Sequence, residues 1–377
     1  MTRGEPTAGP AEAEAGGLLT IDLGAVAANW RELAQRAAPA ECGAAVKADA
    51  YGLGLEPVVR ALAAAGCRTF FVAYPFEGRE VRAAAPGATV YVLNGLFRGT
   101  APAYTAGDLR PVLCSLDEID EWQAFCAASG WSGGAAVQVD TGMNRLGLDQ
   151  QQTAALAARS PHGRAGITLM MSHLACSEDA AHPLNGKQIG RSRVIRQMFP
   201  DVPFSLANSS GIFLGPDALH DLVRPGVALY GANPTPSHVN PMRPVLRLAG
   251  RIVQVRTVAA GETVGYGAAW TAKRPSRIAI VSVGYADGLF RSAGSTDRRT
   301  GAETIVAGHR CPVAGRISMD LLALDVTGLA AGTPRRGAWA EFLNDEIGVD
   351  ALAAHAGTIA YEILTGLGRR FRRTYLE

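Results

Sequence analysis

Residues that could do chemistry come directly after short apolar runs in the N-terminal part of the sequence. Lys47 follows the apolar start of AVKADAYG, Arg145 comes shortly after AAVQVD, and His173 lies at the end of ITLMMSH. Tyr51 lies close to Lys47 in the chain, and Asp140 lies close to Arg145. A lysine amine can form a Schiff base, and the other groups can bind anions or move protons.

Two later apolar runs carry groups that suit a phosphate. Asn208 and Ser209 end PFSLANS, and Arg224 and Gly226 lie within LVRPGVALYG. Hydroxyl groups, backbone N–H groups and a glycine that permits close approach are the usual components of a phosphate site.

The spacing of the apolar runs indicates which elements position these residues. Eight runs recur between residue 43 and about residue 230, namely GAAVKA, TFFVAY, TVYVLNG, RPVLCS, AAVQVD, ITLMMSH, PFSLANS and LVRPGVALYG. Ala-rich segments of helical length, such as EPVVRALAAAG and SLDEIDEWQAFCAASG, separate most of them. Alternating strands and helices predict βαβ units with a parallel sheet, and eight such units predict a closed (β/α)₈ TIM barrel.

In such a barrel the active site lies at the carboxyl ends of the strands, and the loops after strands seven and eight commonly hold a phosphate. Lys47 would then be a strand-end lysine near a phosphate site, which suggests a Schiff base with pyridoxal phosphate. Each residue alone has an ordinary explanation, because a strand-end lysine is often a solvated cation and residues such as His173 and Arg224 are often structural. Their convergence on one barrel rim points to a cofactor site.

The pattern of the sequence changes after about residue 247. Apolar and polar residues alternate between glycine turns in LRLAGRIVQVRTVAAGETVGYG, RIAIVSVGYADG and ETIVAGHRCPVAGRISMDLLALDV, which is typical of antiparallel strands. We therefore expect the barrel at residues 18–247 and a mostly antiparallel β domain at residues 248–377. Residues 1–17 lack the apolar core of a signal peptide and are expected to be a disordered extension.

Charge and cysteine content argue against several classes of protein. The 36 basic and 34 acidic residues give a net charge of +2, which offers no field for nucleic acid or an anionic membrane. We interpret the densest basic run, GRRFRR at 368–373, as a solvated chain end. The six cysteines form no CxxC pair and have no histidines at zinc spacing, so we expect free thiols in the cytoplasm and no metal. No apolar run could span a membrane, and the expected partner is a small molecule.

A series of motifs makes a family resemblance specific. AVKADAYG, VDTGMNRLG, SHLA, ANSSG, RPGVALYG, VGYG, GYADG and AGRISMD occur in this order. From about residue 18 to its end the chain resembles alanine racemase. The resemblance implies a cytoplasmic homodimer that interconverts L-alanine and D-alanine with pyridoxal phosphate, either for D-alanine and cell-wall synthesis or for alanine breakdown.

The resemblance also implies roles for the candidate residues. Lys47 would be the Schiff-base lysine and one catalytic base, and Tyr266, reaching in from the other subunit, would be the second base. Arg145 and the backbone at Met319 would hold the substrate carboxylate. The entrance to the site would be lined by Tyr285, Arg291 and Arg316, with an acidic residue at Glu178 or Asp179.

The cofactor would have its own set of residues. By the resemblance, Arg224 faces the pyridine nitrogen and His173 lies beside the ring. The remaining cofactor-binding residues would be Tyr51, Asn208, Ser209, Gly226, Val227 and Tyr361.

These residue types suit racemisation chemically. A racemase must remove a proton from one face of the α-carbon and deliver one to the opposite face, so two acid–base groups must flank the cofactor plane. A tyrosine near pKa 10 needs a cationic or hydrogen-bonding environment to act as a base. An arginine opposite the pyridine nitrogen cannot accept a proton. The ring nitrogen then stays unprotonated, which weakens the electron sink and limits transamination.

Two residues depart from the family pattern. Many members have a lysine, reported to be carbamylated, at the position of Gln138, and often a histidine at the position of Ser205. Gln138 could offer Arg145 a neutral oxygen but cannot form a carbamate, so Arg145 would be less neutralised here. The other interpretation is that Gln138 is an ordinary inward-facing barrel residue.

Other functions remain open at this point. One is a related barrel enzyme with pyridoxal phosphate, such as a serine or broad-specificity amino-acid racemase or an amino-acid decarboxylase. Another is a non-catalytic module that binds pyridoxal phosphate. We would expect a decarboxylase to place a carboxylate opposite the pyridine nitrogen, and a barrel-only binder to lack the β domain with Tyr266.

Overall fold

The computed structural model describes residues 7–159 and 166–377, and their contacts divide the chain into two compact units. The barrel unit comprises Val26–Leu229 and Asn233–Arg243. The β unit comprises the described residues up to Ala25, together with Tyr230–Ala232 and Pro244–Glu377. Each unit has its own main sheet.

The described residues begin with two strands of the β unit, β1 (Thr7–Ala8) and β2 (Gly17–Asp22). Helix α1 (Leu23–Ala37) follows and leads into the barrel unit.

The strands of the barrel unit are short and parallel. They are β3 (Glu41–Cys42), β4 (Ala44–Ala45), β5 (Thr69–Val72), β6 (Thr89–Val92), β7 (Arg110–Leu113), β8 (Ala135–Gln138), β9 (Ile167–Met171), β10 (Phe204–Ser205) and β11 (Leu222–Val223). Strands β4 to β10 form one sheet in chain order, and β11 pairs with β3, which precedes β4 by a single glycine. Every apolar run that was predicted to be a barrel strand contains one of these strands.

Backbone hydrogen bonds close the strands into a barrel. Arg224 N donates to Ala207 O (2.9 Å), which joins the end of β11 to the end of β10. On the other side, Ala45 N donates to Pro225 O (2.8 Å), which joins β4 to the residues after β11. The predicted (β/α)₈ barrel is therefore confirmed.

Helices connect most of the barrel strands. They are α2 (Lys47–Gly52), α3 (Leu55–Ala65), α4 (Pro75–Ala84), α5 (Ala101–Ala106), α6 (Leu116–Ser129), α7 (Gln150–Ala157) and α8 (Pro183–Met198). Local sequence sets their starts: the Ser115 hydroxyl accepts a hydrogen bond from Glu118 N (3.1 Å) at α6, and Asp149 and Gln152 form a capping box at α7. These side chains satisfy N–H groups that the first helical turn leaves unpaired.

The β unit contains the antiparallel strands that the sequence predicts. Its later elements are β12 (Leu246–Val258), β13 (Thr263–Val264), β14 (Trp270–Thr271), β15 (Ser276–Val281), β16 (Glu303–Val306), β17 (His309–Pro312), β18 (Leu322–Asp325), β19 (Trp339–Leu343), α9 (Val349–Ala356), α10 (Ala360–Gly366) and β20 (Arg372–Leu376). The long strand β12 pairs antiparallel with β2, β15 and β19 and so organises the sheet.

The N-terminal residues differ from the expected extension where the structure describes them. Residues 1–6 of that extension lie outside the described residues, but β1 pairs with β20, and Ala15 is buried. Arg251 also donates hydrogen bonds to the carbonyls of Glu12 and Ala15. Backbone hydrogen bonds and the burial of Ala15 therefore order this Ala- and Gly-rich segment.

Residues 18–22 fall within the range 18–247 that was expected for the barrel, but they form strand β2 of the β unit. Its residues alternate between buried and half-buried, with Leu19 and Ile21 fully buried, and it pairs with β12 and β20 in the β unit. The period of two matches a sheet that is covered on one face, whereas barrel strands are buried on both. The predicted boundary at residue 247 lies close to Pro244, where the β unit resumes.

None of the helices in the described ranges has the length and apolar character that a membrane crossing requires.

Candidate active site

Lys47 begins a left-handed helical turn. It follows β4 after one residue and starts α2, in which φ is between +51° and +57° at Ala48, Asp49, Ala50 and Tyr51. This left-handed conformation costs roughly 1–2 kcal/mol for each non-glycine residue. Strain of this kind persists only where the surrounding structure imposes it, and it is concentrated at functional sites.

Glu77 of α4 holds the turn after Lys47. Its buried carboxylate accepts hydrogen bonds from the backbone N–H groups of Ala48 (2.7 Å), Ala73 (2.7 Å) and Tyr74 (3.1 Å). One carboxylate therefore joins the strained turn to the carboxyl end of β5, which fixes where Lys47 leaves the barrel.

The surroundings of Lys47 favour its neutral amine. Burial lowers the pKa of Lys47, the positive charge of Arg145 lowers it further, and the negative charge of Glu77 opposes both effects. A lysine with a lowered pKa is a better nucleophile and a better proton acceptor at neutral pH.

Tyr51, Ser209 and Gly226 form a small polar cradle, which we call the hydroxyl cradle. A Cβ atom at Gly226 would lie only 2.3 Å from the buried Tyr51 hydroxyl, so that only glycine allows this approach. The Ser209 hydroxyl accepts hydrogen bonds from the N–H groups of Gly226 (2.9 Å) and Ala228 (3.3 Å). Val227, which lies between Gly226 and Ala228 in the sequence, is also buried. Two hydroxyls and a run of backbone N–H groups therefore meet at the end of β11.

Arg224 is a buried cation held by neutral groups. Its guanidinium donates hydrogen bonds to the Ser205 hydroxyl, to Ser172 O (2.6 Å) and to His173 Nδ1 (3.2 Å), and it lies 5.8 Å from the centre of the Phe71 ring. Burial lowers the pKa of Arg224 to about 9, so the group stays charged at neutral pH.

His173 is neutral in this environment. Burial is the largest effect that lowers its pKa, and the charges of Arg224, Arg145 and Lys47 add to it, bringing the pKa to about 3. Because a guanidinium can only donate, we assign Nδ1 of His173 as the acceptor and Nε2 as the protonated nitrogen.

Asp140 shapes the loop that carries Arg145. One oxygen of the Asp140 carboxylate accepts hydrogen bonds from the N–H groups of Gly142 (2.8 Å), Met143 (3.0 Å) and Asn144 (3.2 Å). Arg145 follows this turn and is exposed. Its charge nevertheless acts on both Lys47 and His173, as their pKa values show.

Gln138 ends β8 beneath the same loop. It is half-buried, and its backbone carbonyl accepts a hydrogen bond from Leu148 N (2.9 Å). Within the described residues no hydrogen bond joins the Gln138 amide to Arg145 directly. The suggested contact of Gln138 with Arg145 stays a prediction.

Asn208 supports the loop that follows β9. Its Oδ1 accepts hydrogen bonds from the Ser177 hydroxyl (2.8 Å) and from Gly211 N (2.9 Å), which ties that loop to the loop after β10. Glu178 and Asp179, proposed for the entrance, come directly after Ser177 and are both exposed.

Tyr266 lies in the β unit on an exposed turn between β13 and β14. Its residue surface is 69% exposed. A Cβ atom at Gly267 would lie 2.6 Å from Nη1 of Arg316, which places that guanidinium beside the turn. Asp297 fixes the far end of the turn, because its carboxylate accepts hydrogen bonds from Thr271 N and from the Thr271 hydroxyl (both 2.7 Å).

The other sequence-predicted residues of the β unit are also exposed. Tyr285 and Met319 lie on turns that hydrogen-bond to each other, since Tyr285 N donates to Ser318 O (3.0 Å) and Ala286 N donates to Met319 O (3.0 Å). The remaining exposed positions in this set are Arg291, Arg316 and Tyr361.

The residues of the barrel unit fit pyridoxal phosphate. The hydroxyl cradle is kept open by a glycine whose Cβ would fill it, and the hydroxyls of Tyr51 and Ser209 are donors of the kind that a phosphate needs. Lys47 supplies an amine with a lowered pKa. Arg224 supplies a buried donor, and none of its hydrogen-bond partners is a carboxylate. Within residues 7–159 and 166–377, no cluster of His, Cys, Asp and Glu could hold a metal ion.

The roles of Glu77 and Ser172 were not predicted from the sequence. Glu77 is the third residue of α4, which is the position of an ordinary capping-box residue. Ser172 binds Arg224 only through its backbone carbonyl. The available signal was a glutamate three residues after the predicted strand TFFVAY. Ser205 was noted only as a departure from the family, but its hydroxyl binds Arg224.

Comparison with protein families matches both halves of the chain. Residues 21–234 match the model described as "Alanine racemase, N-terminal domain", and residues 245–375 match "Alanine racemase, C-terminal domain".

Individual relatives agree with the family models. The chain is 52% identical to an alanine racemase of Methylobacterium nodulans over 96% of each chain. It is 44% identical to two alanine racemases of Agrobacterium fabrum, one named catabolic and the other biosynthetic, over 95–96% of this chain and 93% of theirs. The crystal structure of alanine racemase from Bartonella henselae with covalently bound pyridoxal phosphate superimposes with a TM-score of 0.90, at 40% identity, over 96% of this chain and all of the other.

Replacing Glu77 tests whether it holds the Lys47 turn. We expect Glu77→Gln to destabilise the protein by about 1–3 kcal/mol, because the amide removes one acceptor and turns an NH₂ group towards backbone N–H groups. Urea unfolding gives this difference. Glu80→Gln, an exposed carboxylate on the same helix, should change stability by less than about 0.5 kcal/mol. Equal stabilities of the two variants would contradict the assignment.

The low pKa of His173 predicts a pH dependence of stability. The unfolded histidine titrates near pH 6.5 and the folded one near 3, so this residue stabilises the folded protein above pH 6.5 and the contribution falls as pH decreases towards 3. Between pH 7.5 and pH 5 we expect a loss of about 2 kcal/mol that His173→Asn does not show. Urea unfolding of both proteins at both pH values measures it, and identical pH dependences would refute a low pKa.

Proposed function

The chain belongs to the alanine racemase family, and we propose that it interconverts L-alanine and D-alanine with pyridoxal phosphate held by the barrel unit. The observation that carries the proposal is Lys47, an amine of lowered pKa at the carboxyl end of a barrel strand, near the hydroxyl cradle and the buried Arg224. The two Agrobacterium fabrum relatives carry opposite metabolic names at the same identity. A catabolic and a biosynthetic role would use the same reaction.

Lys47 and Tyr266 are the proposed acid–base pair. When bound, pyridoxal phosphate withdraws electrons from the α-carbon of the amino acid and makes its proton acidic. Lys47 Nζ accepts or returns that proton on one face, and Tyr266 Oη does so on the opposite face. Racemisation needs both, because a single base returns the proton to the side it came from.

Arg224 and His173 set the electrostatics beside the cofactor ring. Arg224 donates only, and its hydrogen-bond partners are a hydroxyl, a carbonyl and a neutral imidazole. A group opposite Arg224 therefore has no proton to gain from it, which favours a moderate electron sink over a strong one. This arrangement supports a racemase over a decarboxylase, for which we expect a carboxylate at that place.

Three cations around one small region suit an anionic substrate. Lys47, Arg145 and Arg224 act together on His173, as its lowered pKa shows. We propose that Arg145 and the backbone N–H of Met319 bind the alanine carboxylate, and that Tyr51, Asn208, Ser209, Gly226, Val227 and Tyr361 complete the cofactor site. Gln138, a neutral residue, leaves the charge of Arg145 available for the substrate.

We further propose a homodimer in which Tyr266 serves the site of the other subunit. The support is its exposure, together with that of Met319 (53%), Tyr285 (42%) and Tyr361 (40%) in the same unit. Exposed apolar side chains that lie together mark interaction surfaces, and the turns of Tyr285 and Met319 hydrogen-bond to each other. The entrance would then combine Tyr285, Arg291 and Arg316 with Glu178 or Asp179.

A cytoplasmic location is also proposed. All six cysteines are free thiols, and four of them are buried. Free thiols are typical of proteins that work in a reducing compartment.

Racemisation itself is the first test of the function. The purified holoenzyme should convert L-alanine to D-alanine and, in D₂O, place deuterium on the α-carbon of the product, because the proton comes from a solvent-exchanged group. Chiral chromatography measures the conversion, and mass spectrometry measures the deuterium.

Tyr266→Phe should lower the racemisation rate by roughly 10²–10⁴ while the cofactor content of the enzyme stays unchanged. Tyr74→Phe, an exposed tyrosine of the barrel unit, should keep full activity, and equal activity of the two variants would exclude Tyr266 as a base.

Mixed dimers test the shared site. Lys47→Ala and Tyr266→Phe chains, each nearly inactive alone, are refolded together in equal amounts. With random pairing half of the dimers are mixed, and one of the two sites in each has both bases, so about a quarter of wild-type activity should return. No recovery, with mixed dimers demonstrated by mass spectrometry, would show that each chain supplies its own tyrosine.

A further inference from the structure

The basic run GRRFRR was interpreted as a solvated chain end, but its third residue contacts two carboxylates. Arg370 donates hydrogen bonds from Nε and Nη2 to the two oxygens of Asp287 (2.7 Å and 2.9 Å). Its Nη1 donates to Asp320 Oδ1 (2.7 Å). One planar guanidinium therefore bridges two acidic residues that are distant in the sequence.

Both carboxylates belong to turns that carry proposed site residues. Asp287 ends the turn Tyr285–Asp287 and is buried, and its Oδ2 also accepts a hydrogen bond from Gly284 N (2.8 Å). Asp320 directly follows Met319. Arg370 thus connects the turn of Tyr285 to the turn of Met319.

The two turns are already close through their backbones. Besides the hydrogen bonds from Tyr285 N and Ala286 N, a Cβ atom at Gly284 would lie 2.3 Å from the carbonyl oxygens of Ser318 and Met319. Because both carboxylates bind the same guanidinium, Asp287 and Asp320 lie in one region, where their charges repel each other. The positive charge of Arg370 offsets that repulsion, and its directional hydrogen bonds fix the orientation of both carboxylates.

We propose that Arg370 is a positioning residue for substrate binding, which holds the backbone of Met319 and the side chain of Tyr285 where the alanine carboxylate enters and binds. This inference rests on the proposed function. Arg370 touches neither Lys47 nor Tyr266 in the proposed mechanism, so its loss acts on binding rather than on proton transfer. A lysine provides only a point charge and cannot bind Asp287 through two parallel hydrogen bonds.

The test compares Arg370→Gln and Arg370→Lys with Arg369→Gln in the holoenzyme. Arg369→Gln removes the same charge at the neighbouring exposed residue. Steady-state kinetics with L-alanine and with D-alanine give KM and kcat. Inhibition by propionate, which has the carbon skeleton and carboxylate of alanine but no amino group, reports carboxylate binding without turnover. Cofactor absorbance and Tm are recorded for every variant.

We expect Arg370→Gln to raise KM and the propionate inhibition constant by about tenfold each, with kcat within about threefold of wild type and cofactor content unchanged. Arg370→Lys should recover part of the loss, and Arg369→Gln should match wild type. If Arg370→Gln does not fold, Asp320→Asn removes one partner only and should raise the same two constants.

A lower Tm with KM and the propionate constant within twofold of wild type would overturn the proposal, since the contact would then be structural only. The same holds if Arg369→Gln and Arg370→Gln raise both constants equally. Failure of the proposed function is distinguishable, because in that case the unmodified enzyme itself would not racemise alanine.

Discussion

Closure of the parallel barrel is the constraint on which the site depends. The hydrogen bond from Ala45 N to Pro225 O joins β4, near the start of the barrel, to the residues that follow its last strand. It brings Lys47 and Tyr51, from the start of the barrel, to Arg224 and Gly226, from its end. Without closure, Lys47 and Tyr51 would lie near one edge of an open sheet and Ser209 and Gly226 near the other, and the hydroxyl cradle would not form.

Closure also concentrates positive charge. Lys47, Arg145 and Arg224 all lower the pKa of His173, and burial lowers it more than any of them. A histidine that stays neutral can accept a hydrogen bond from Arg224. Lys47, Arg145 and Arg224 together place three positive charges around His173, and positive charge in one region favours the binding of anionic ligands. A phosphate and an amino-acid carboxylate have the required charge.

Much of the fold and of the site could be predicted from the sequence. Each apolar run was short and bounded by glycine or polar residues, so the eight barrel strands could be located, and the first polar residue after each run was a candidate for the site. The expected range of the barrel included residues 18–22, which lie in none of the predicted runs and which form β2 by pairing with β12 and β20 of the β unit. The reasoning from the sequence failed for Glu77 and Arg370 because their partners are backbone groups and carboxylates that lie close only after folding.

The sequence by itself determined the periodicity of the elements, the order of the motifs and the types of the reactive groups, because these are properties of local stretches of chain. Only the tertiary structure decided the conformation and charge state of those groups. Ala48 to Tyr51 adopt a left-handed turn because Glu77 binds it from another helix, and the pKa of Lys47 falls because the barrel buries it beside Arg145. Strain and desolvation arise from contacts between distant segments, and no local pattern encodes them.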